Sequence, residues 1–249
     1  MSIILSGLEL LVRTSGDALH VLSMLVLLLK MRRTSSSSGI SLKSQILYVL
    51  VFFGRYLDLL WVFIHPHRIF QSNRLIYNTI MKCVFISCQG YIIWVIVKIY
   101  PHTYDKDCDE LPLWVLIAPA LAGGFFLMSW GSSFLKTAIN WLWSSSIVLE
   151  SVSILPQLAM LHKRGEGESL TIHYIIFLGL YRACYMVGWL IKWMNNGGYH
   201  SILIWSAAIQ TLIYADLFTT YAQAFISKRK KLTTTNPVEF LKEAFGRKK

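Results

Sequence analysis

Apolar runs of about 20 residues recur along almost the whole chain, and this pattern constrains the fold more than any other feature. A helix of that length crosses the hydrocarbon core of a bilayer, where every backbone N–H and C=O group has to be bonded within the protein. The composition agrees, because 55% of the residues are hydrophobic and only 15% are charged, against about 25% charged residues in soluble domains. The sequence therefore predicts an all-α membrane protein with several spans.

Seven apolar runs predict seven transmembrane helices, at residues 10–29, 42–63, 75–97, 113–130, 135–161, 174–193 and 202–225. The connections between them are short and rich in charged and turn-forming residues, as in RRTSSSSG and HKRGEGES. We therefore expect a transmembrane domain over residues 1–226 and a C-terminal tail over residues 227–249.

The distribution of Lys and Arg predicts how these spans are oriented. Sixteen of these residues fall on one side of the predicted membrane, eight of them in the tail, and four fall on the other side. Cytosolic loops carry the excess of positive charge, so the C-terminus is expected in the cytosol and the N-terminus in a lumen. The net charge of +11 is then explained by the basic residues of the cytosolic loops and tail. No nucleic-acid partner is expected.

Two distant segments of the chain share a pattern and predict an internal repeat. Residues 38–61 and 168–190 each combine a Ser/Thr-containing start, an aromatic-rich apolar run and an arginine, Arg55 or Arg182. Four crossings separate the two spans, so both run in the same direction. Spans one to three and five to seven would be parallel three-helix repeats joined by span four, as in several transport folds. Pro156 predicts a kink near the cytosolic end of span five.

Ionisable residues within the predicted spans indicate a polar interior. They are Arg13, Asp17, His20, Arg55, Asp58, Lys82, Glu150, Arg182 and Asp216. Such groups usually face a bundle interior or a wet cavity. One interpretation is that they only neutralise each other and determine the packing. The other is a lumen-facing cavity for an anionic ligand, because most of the basic residues, together with Lys192, lie in the lumenal half.

A short peptide terminus suits this second interpretation best. Arginine holds a carboxylate with two parallel hydrogen bonds, Asp58 could hold a cationic group at the other end of the ligand, and Trp143 and Trp189 could add stacking or cation–π contact. His20 is either a pH sensor or a hydrogen-bonded core histidine. The sequence contains no motif for nucleophilic catalysis, phosphate binding or metal ligation, so no enzyme and no cofactor are predicted.

Five long segments carry a resemblance to a known family. They are RTSGDALH (13–20), SGISLKSQILYVLVFFGRYLDL (38–59), LESVSILPQLAM (149–160), HYIIFLGLYRACYMVGW (173–189) and QTLIYADLF (210–218). Through them the chain resembles the KDEL receptors, the ER lumen protein-retaining receptors, from about residue 12 to residue 232. The resemblance implies a seven-helix bundle of the PQ-loop/SWEET type in the ER and Golgi membranes. It also implies capture of C-terminal Lys/His-Asp-Glu-Leu signals in the acidic Golgi and their release in the neutral ER.

The resemblance also implies roles for individual residues. The signal-binding set would be Arg13, Arg55, Tyr56 and Arg182 on the carboxylates, Tyr185 and Trp189 in the wall, and Trp143 and Asp58 near the first residue of the signal. His20 would be the protonation switch, coupled to a buried hydrogen-bonded pair of Glu150 and Tyr181. Asp216 matches a position needed for recycling, and Lys230 and Lys231 match cytosolic lysines that the COPI coat reads.

The chain departs from the family pattern at several positions. Asn140 stands where the family commonly has a glutamate that reads the first residue of the signal, Lys192 replaces an arginine, and Gly188 replaces a common asparagine. The N-terminus is about eight residues longer and the tail matches only loosely. Two other functions stay open on the residues alone: a transporter of small organic anions or sugars on the same bundle, and a structural membrane scaffold.

Overall fold

The computed structural model describes residues 2–164 and 169–196, and residues 203, 205, 206, 208–212 and 215 of the segment that follows. The chain divides into two compact units, Met1–Gln210 and Thr211–Lys249, and the site described below lies in the first. Within the described residues of that unit the secondary structure is entirely helical.

Eight α-helices are formed by the described residues. They are α1 (Ser2–Thr34), α2 (Leu42–Arg55), α3 (Asp58–Ile64), α4 (Asn73–Trp94), α5 (Trp114–Leu127), α6 (Phe134–Val152), α7 (Leu155–Arg164) and α8 (Ser169–Asn196). Short 3₁₀ turns at Pro66–Gln71 and Pro101–Thr103 and a π-helical turn at Val95–Ile99 connect or extend them.

Among the described residues, four helical segments are long and apolar enough to cross a membrane: Ile4–Thr34, Asn73–Ile99, Phe134–Arg164 and His173–Asn195. The bent pair α2 and α3 makes a fifth if it is counted as one span. These segments confirm the prediction of an all-helical membrane protein. Predicted span four is a helix of only 14 residues with Pro119 inside it, and predicted span seven lies largely outside the described residues. The seven-span count therefore stays a prediction.

The second predicted span is not one straight helix, which corrects the interpretation of residues 42–63. Helix α2 ends at Arg55 and α3 begins at Asp58, with a bend of 56° between them. Tyr56 leaves the helical conformation with φ −107° and ψ 28°. Asp58 then stands in the first turn of α3, where a negative side chain interacts favourably with the helix dipole. The break places Arg55 and Tyr56 at a helix end.

A second interruption lies where Pro156 predicts a kink. Helix α6 ends at Val152 and α7 begins at Leu155, with the turn residues Ser153 and Ile154 between them. Proline has no N–H group and its ring clashes with the carbonyl four residues earlier, so it interrupts a helix there. Both segments together still count as one membrane span.

Two close helix contacts shape the part of the bundle that holds the site. Helix α1 packs along α8, and α2 packs against α6. A methyl group on Gly16 would lie 2.8 Å from the Tyr185 ring, and one on Gly54 would lie 3.0 Å from the backbone oxygen of Leu142. Glycine at these two positions therefore allows the helices to approach closely.

A hydrogen-bonded cluster closes the end of the bundle that is predicted to face the cytosol. Gln157 accepts from the Ser41 backbone N–H at 2.8 Å and donates to the Gly39 carbonyl at 2.8 Å. Asp109 accepts from the Ser41 hydroxyl at 2.8 Å and from the Tyr104 hydroxyl at 2.6 Å. Burial and this bond to Asp109 raise the pKa of Tyr104 above its usual value. The cavities described below lie at the opposite end of α2, where the helix ends at Arg55.

Candidate functional site: a basic cavity and its neighbour

A cavity of about 300 Å³ lies between α1, α2, α4 and α8. We call it the basic cavity, because five basic and two acidic side chains line it. The basic residues are Arg13, Arg55, Arg74, Lys82 and Lys192, and the acidic residues are Glu9 and Asp17. Tyr56, Tyr185 and Trp189 supply aromatic wall. A cavity lined by more basic than acidic side chains favours an anionic ligand.

A second cavity of about 500 Å³ lies on the other side of Arg55. Its lining comes from the end of α2, from α3, α5 and α6, and from Lys82 of α4. Arg55, Tyr56 and Lys82 line both cavities. Nine of the ten residues predicted to bind the signal line at least one of the two cavities. The basic cavity is lined by Arg13, Arg55, Tyr56, Tyr185, Trp189 and Lys192. The second cavity is lined by Asp58, Asn140 and Trp143, and also by Arg55 and Tyr56.

Arg182 is the tenth residue, and it does not line either of these two cavities. It is 2% exposed and forms an ion pair with Oε1 of Glu150. Arg55 Nη2 lies 2.6 Å from the other oxygen, Oε2. The two helices that carry the predicted repeat, α2 and α8, are thus joined through one carboxylate on α6. Both guanidinium groups therefore bind the same carboxylate.

Hydrogen bonds hold the polar groups of the basic cavity in place. Arg13 Nη2 donates to the Asn78 side-chain oxygen at 2.6 Å. Asp17, which is buried, accepts from the Tyr77 hydroxyl at 2.7 Å and from the Tyr185 hydroxyl. At the rim, Arg74 pairs with Glu9 at 3.3 Å. These contacts fix the direction of the side chains before any ligand arrives.

A polar stripe on α4 is the part of the site that sequence reasoning missed. Arg74, Asn78 and Lys82 follow each other at intervals of four residues, so they share one helix face. All three line the basic cavity. That spacing was visible in the sequence, but only Lys82 lies deep within the predicted span and drew attention. Lys82 pairs with Asp58.

His20 lies directly beneath the basic cavity. It is 3% exposed, and its ring stacks on that of Tyr181 with a centroid distance of 4.2 Å and an angle of 8°. The distance between ring centroids is 4.6 Å from His20 to Phe85, which lines the basic cavity, and 5.9 Å from His20 to Phe52. The Tyr181 hydroxyl is in turn 3.5 Å from Oε1 of Glu150. His20 is therefore one contact away from the ion pairs of Arg55 and Arg182.

The remaining residues singled out in the sequence either line the basic cavity or lie outside the described residues. Gly188 lines the basic cavity. Asp216, Lys230 and Lys231 lie outside the described residues. Among the residues that the structure describes, no group of three His, Cys, Asp or Glu side chains is placed to hold a metal ion. The site as described is a binding cavity made of basic and aromatic side chains.

Comparison with known proteins identifies the family. The family described as ER lumen protein retaining receptor matches residues 36–192, more than half of the chain. The chain is 41% identical over 230 residues to ER lumen protein-retaining receptor 3 of Xenopus laevis, covering 91% of this chain and 98% of the relative. It is 40% identical over 221 residues to receptor 2 of Bos taurus, covering 89% and 97%.

These relatives also bear on the functions left open by the sequence. The matched family is a receptor family, which agrees with the prediction that the chain is not an enzyme and lends no support to a transporter. A retention receptor with membrane-spanning helices is a membrane protein of the ER and Golgi system. On the match over residues 36–192 and on relatives about 40% identical over nine tenths of its length, the chain belongs to the ER lumen protein-retaining receptor family.

Proposed function

We propose that this protein is a pH-dependent receptor for C-terminal Lys/His-Asp-Glu-Leu-like signals. It binds escaped ER-resident proteins in the Golgi and returns them to the ER by retrograde transport. The observation that carries the proposal is the excess of basic over acidic side chains in the basic cavity, five against two. The names of the relatives, which describe retention of ER lumen proteins, support the cargo class.

The carboxylates of the signal are the groups that the basic cavity suits. A peptide ending in Asp-Glu-Leu carries two side-chain carboxylates and one terminal carboxylate, and each forms strong charge-assisted bonds with arginine. Arg13 belongs to α1, Arg55 to α2 and Lys192 to α8. A peptide held by all three would cross-link three helices. Closure of the bundle around the peptide would then be driven by binding.

Arg182 takes part in this proposal through Glu150. Both arginines bind Glu150, so an added anion at Arg55 would leave Glu150 paired with Arg182. A carboxylate of the signal would compete with Glu150 for Arg55, the more exposed of the two arginines. That exchange links ligand binding to the buried pair of Glu150 and Tyr181.

His20 supplies the pH dependence of the proposed cycle. Its neighbours are the aromatic rings of Phe52, Phe85 and Tyr181, and beyond Tyr181 the charges of Arg182 and Glu150. A buried imidazolium is costly unless negative charge compensates it. The bound signal brings that negative charge into the cavity above, so protonation and binding favour each other. Binding is then strongest at the lower pH of the Golgi.

The remaining architecture belongs to the same proposal. Seven spans would form two parallel three-helix repeats joined by span four, with a transmembrane domain over residues 1–226, the N-terminus in the lumen and the tail of residues 227–249 in the cytosol. The tail would carry Lys230 and Lys231 for the COPI coat, and Asp216 would act in recycling. The family resemblance and the excess of basic residues on one side support this arrangement.

Peptide binding to the purified full-length chain tests the proposal. A labelled peptide ending in Asp-Glu-Leu is titrated at about pH 5.5 and about pH 7.5, on either side of the range in which imidazole titrates. We expect tighter binding at the lower pH and much weaker binding of the same peptide with an amidated C-terminus. Equal affinity of the free and amidated peptides would refute the proposed role of the basic residues. Substrate flux in proteoliposomes would instead support a transporter.

A further inference from the structure

The second cavity differs in charge from the basic cavity, and the difference decides which end of a signal each one suits. Its charged lining residues are Arg55, Asp58 and Lys82. These two basic residues and one acidic residue leave less excess positive charge than the five basic and two acidic residues of the basic cavity. The carboxylates of a signal belong in the basic cavity. The first side chain of the signal then lies in the second cavity, past Arg55 and Tyr56.

Asp58 is the acidic residue of this second cavity, and Lys82 already neutralises it. The Lys82 ammonium forms an ion pair with the Asp58 carboxylate and lies 5.4 Å from the centre of the Tyr56 ring. Cation–π attraction to that ring helps to hold it there. A lysine at the first position of a signal would have to share the carboxylate with Lys82. Because like charges repel, the second ammonium gains little.

Asn140 is an uncharged polar residue in the lining of the second cavity. Its side-chain amide donates to the backbone carbonyl of Ser129 at 2.8 Å, which fixes its orientation. An amide retains one further N–H donor and an acceptor oxygen, but it has no charge to compensate the desolvation of an ammonium group. Much of the surrounding wall is apolar or aromatic, with Leu127, Ile139 and Trp143 in it.

We infer that the second cavity selects an uncharged, planar, hydrogen-bonding side chain at the first position of the signal over lysine, and that Asn140 and Lys82 set this preference. The inference rests on the proposed function and names the class of signal that the receptor takes. A glutamine, asparagine or neutral histidine side chain exchanges hydrogen bonds with Asn140 and stacks on Trp143. The ion pair of Asp58 and Lys82 stays intact when such a side chain binds.

Two peptides that differ only in their first residue test the inference. Gln-Asp-Glu-Leu and Lys-Asp-Glu-Leu are titrated into the full-length chain at mildly acidic pH, and the ratio of their dissociation constants is the readout. We expect the wild type to bind the glutamine peptide more tightly than the lysine peptide. Asn140→Glu adds a negative charge, and Lys82→Met releases that of Asp58. Each change should move the ratio toward lysine by about tenfold or more, as expected for a close charge pair.

Conservative variants at the same positions serve as matched controls. Asn140→Gln keeps an amide and Lys82→Arg keeps a cation beside Asp58, so neither should move the ratio. Equal affinity for the two peptides, a wild-type preference for the lysine peptide, or an unchanged ratio in both charge-altering variants would overturn the inference and leave the proposed function intact. If neither peptide binds the wild type, the proposed function itself fails and the inference with it. Partial misfolding of a variant lowers the number of sites but not the ratio.

Discussion

Replacing Glu150 by glutamine removes the only charge of the residue that joins Arg55 and Arg182. Glutamine has nearly the same shape, so the packing of α6 is preserved while the carboxylate is lost. Arg182 is 2% exposed and the Glu150 side chain is 6% exposed. A guanidinium in that position can neither reach water nor release its proton. The variant therefore tests whether the shared carboxylate holds the centre of the bundle together.

The expected loss of stability follows from the burial of the ion pair. Removing one partner of a buried pair costs about 3–5 kcal/mol, because the other charge is left uncompensated. Losing the ion pair of Arg55 with Glu150 adds less to this cost, because the Arg55 side chain is 18% exposed and water can reach it. For a chain of this size each kcal/mol lowers the melting temperature by about 2–4 °C. Glu150→Gln should therefore lower it by about 6–20 °C.

The signal peptide should reverse part of this loss. A carboxylate from the peptide can bind the arginine that Glu150 no longer neutralises, so the rise in melting temperature on adding peptide should be larger in the variant than in the wild type. The size of such a shift depends on the ratio of ligand concentration to dissociation constant. The peptide with an amidated C-terminus carries less negative charge and should give a smaller shift.

Thermal unfolding in detergent, with and without peptide, measures both effects. Glu110→Gln is the matched control, because Glu110 also pairs with a basic residue, Lys163 at 2.5 Å, but on the exposed surface. The hydrogen bond from Lys163 holds the pKa of Glu110 below its usual value, yet exposed pairs contribute little to stability. A melting temperature of Glu150→Gln that equals that of Glu110→Gln would refute the reasoning.

Three further predictions concern the cavity and the helix contacts around it. His20→Ala should abolish the difference in peptide affinity between about pH 5.5 and about pH 7.5, and a persistent difference would place the switch elsewhere. Arg13→Met should weaken peptide binding about tenfold to a hundredfold, the equivalent of one lost charge-assisted hydrogen bond of about 1.5–3 kcal/mol; unchanged affinity would remove Arg13 from the binding set. Gly16→Ala should lower both the melting temperature and peptide affinity, because the new methyl group would lie 2.8 Å from Tyr185. Gly7→Ala is its control, since a methyl group there meets nothing within 4 Å, and equal effects of the two changes would contradict the close contact.

Helical spacing in the sequence indicates which of the cavity-lining residues share a helix face, because this spacing depends only on local geometry. Arg13 and Asp17 are four residues apart, and both line the basic cavity. Tyr185 and Trp189 have the same spacing on α8 and also line it. Residues at this interval share a face whatever the helix packs against. The same rule applied to Arg74, Asn78 and Lys82 would have found the stripe on α4.

The partners of these residues could not be predicted in the same way. Asp58 looked free to bind a ligand, but the bend after Arg55 brings it to Lys82. The ion pair of Arg182 with Glu150 was likewise not visible in the sequence. Pairing across helices depends on which helices are neighbours and on how far each is displaced along its axis. Neither the choice of neighbouring helices nor their displacement can be predicted from the sequence of a single helix.

The length and hydropathy of its segments, the charge of its connections and the positions of its intramembrane arginines were determined by the sequence alone. Each depends on transfer of a side chain or segment between water and lipid, which is a local property. Only the tertiary structure decided that α2 breaks at Tyr56, that Glu150 serves two arginines, and that Lys82 neutralises Asp58. These features arise from packing between distant segments, where the free energy of a charge depends on what surrounds it in space.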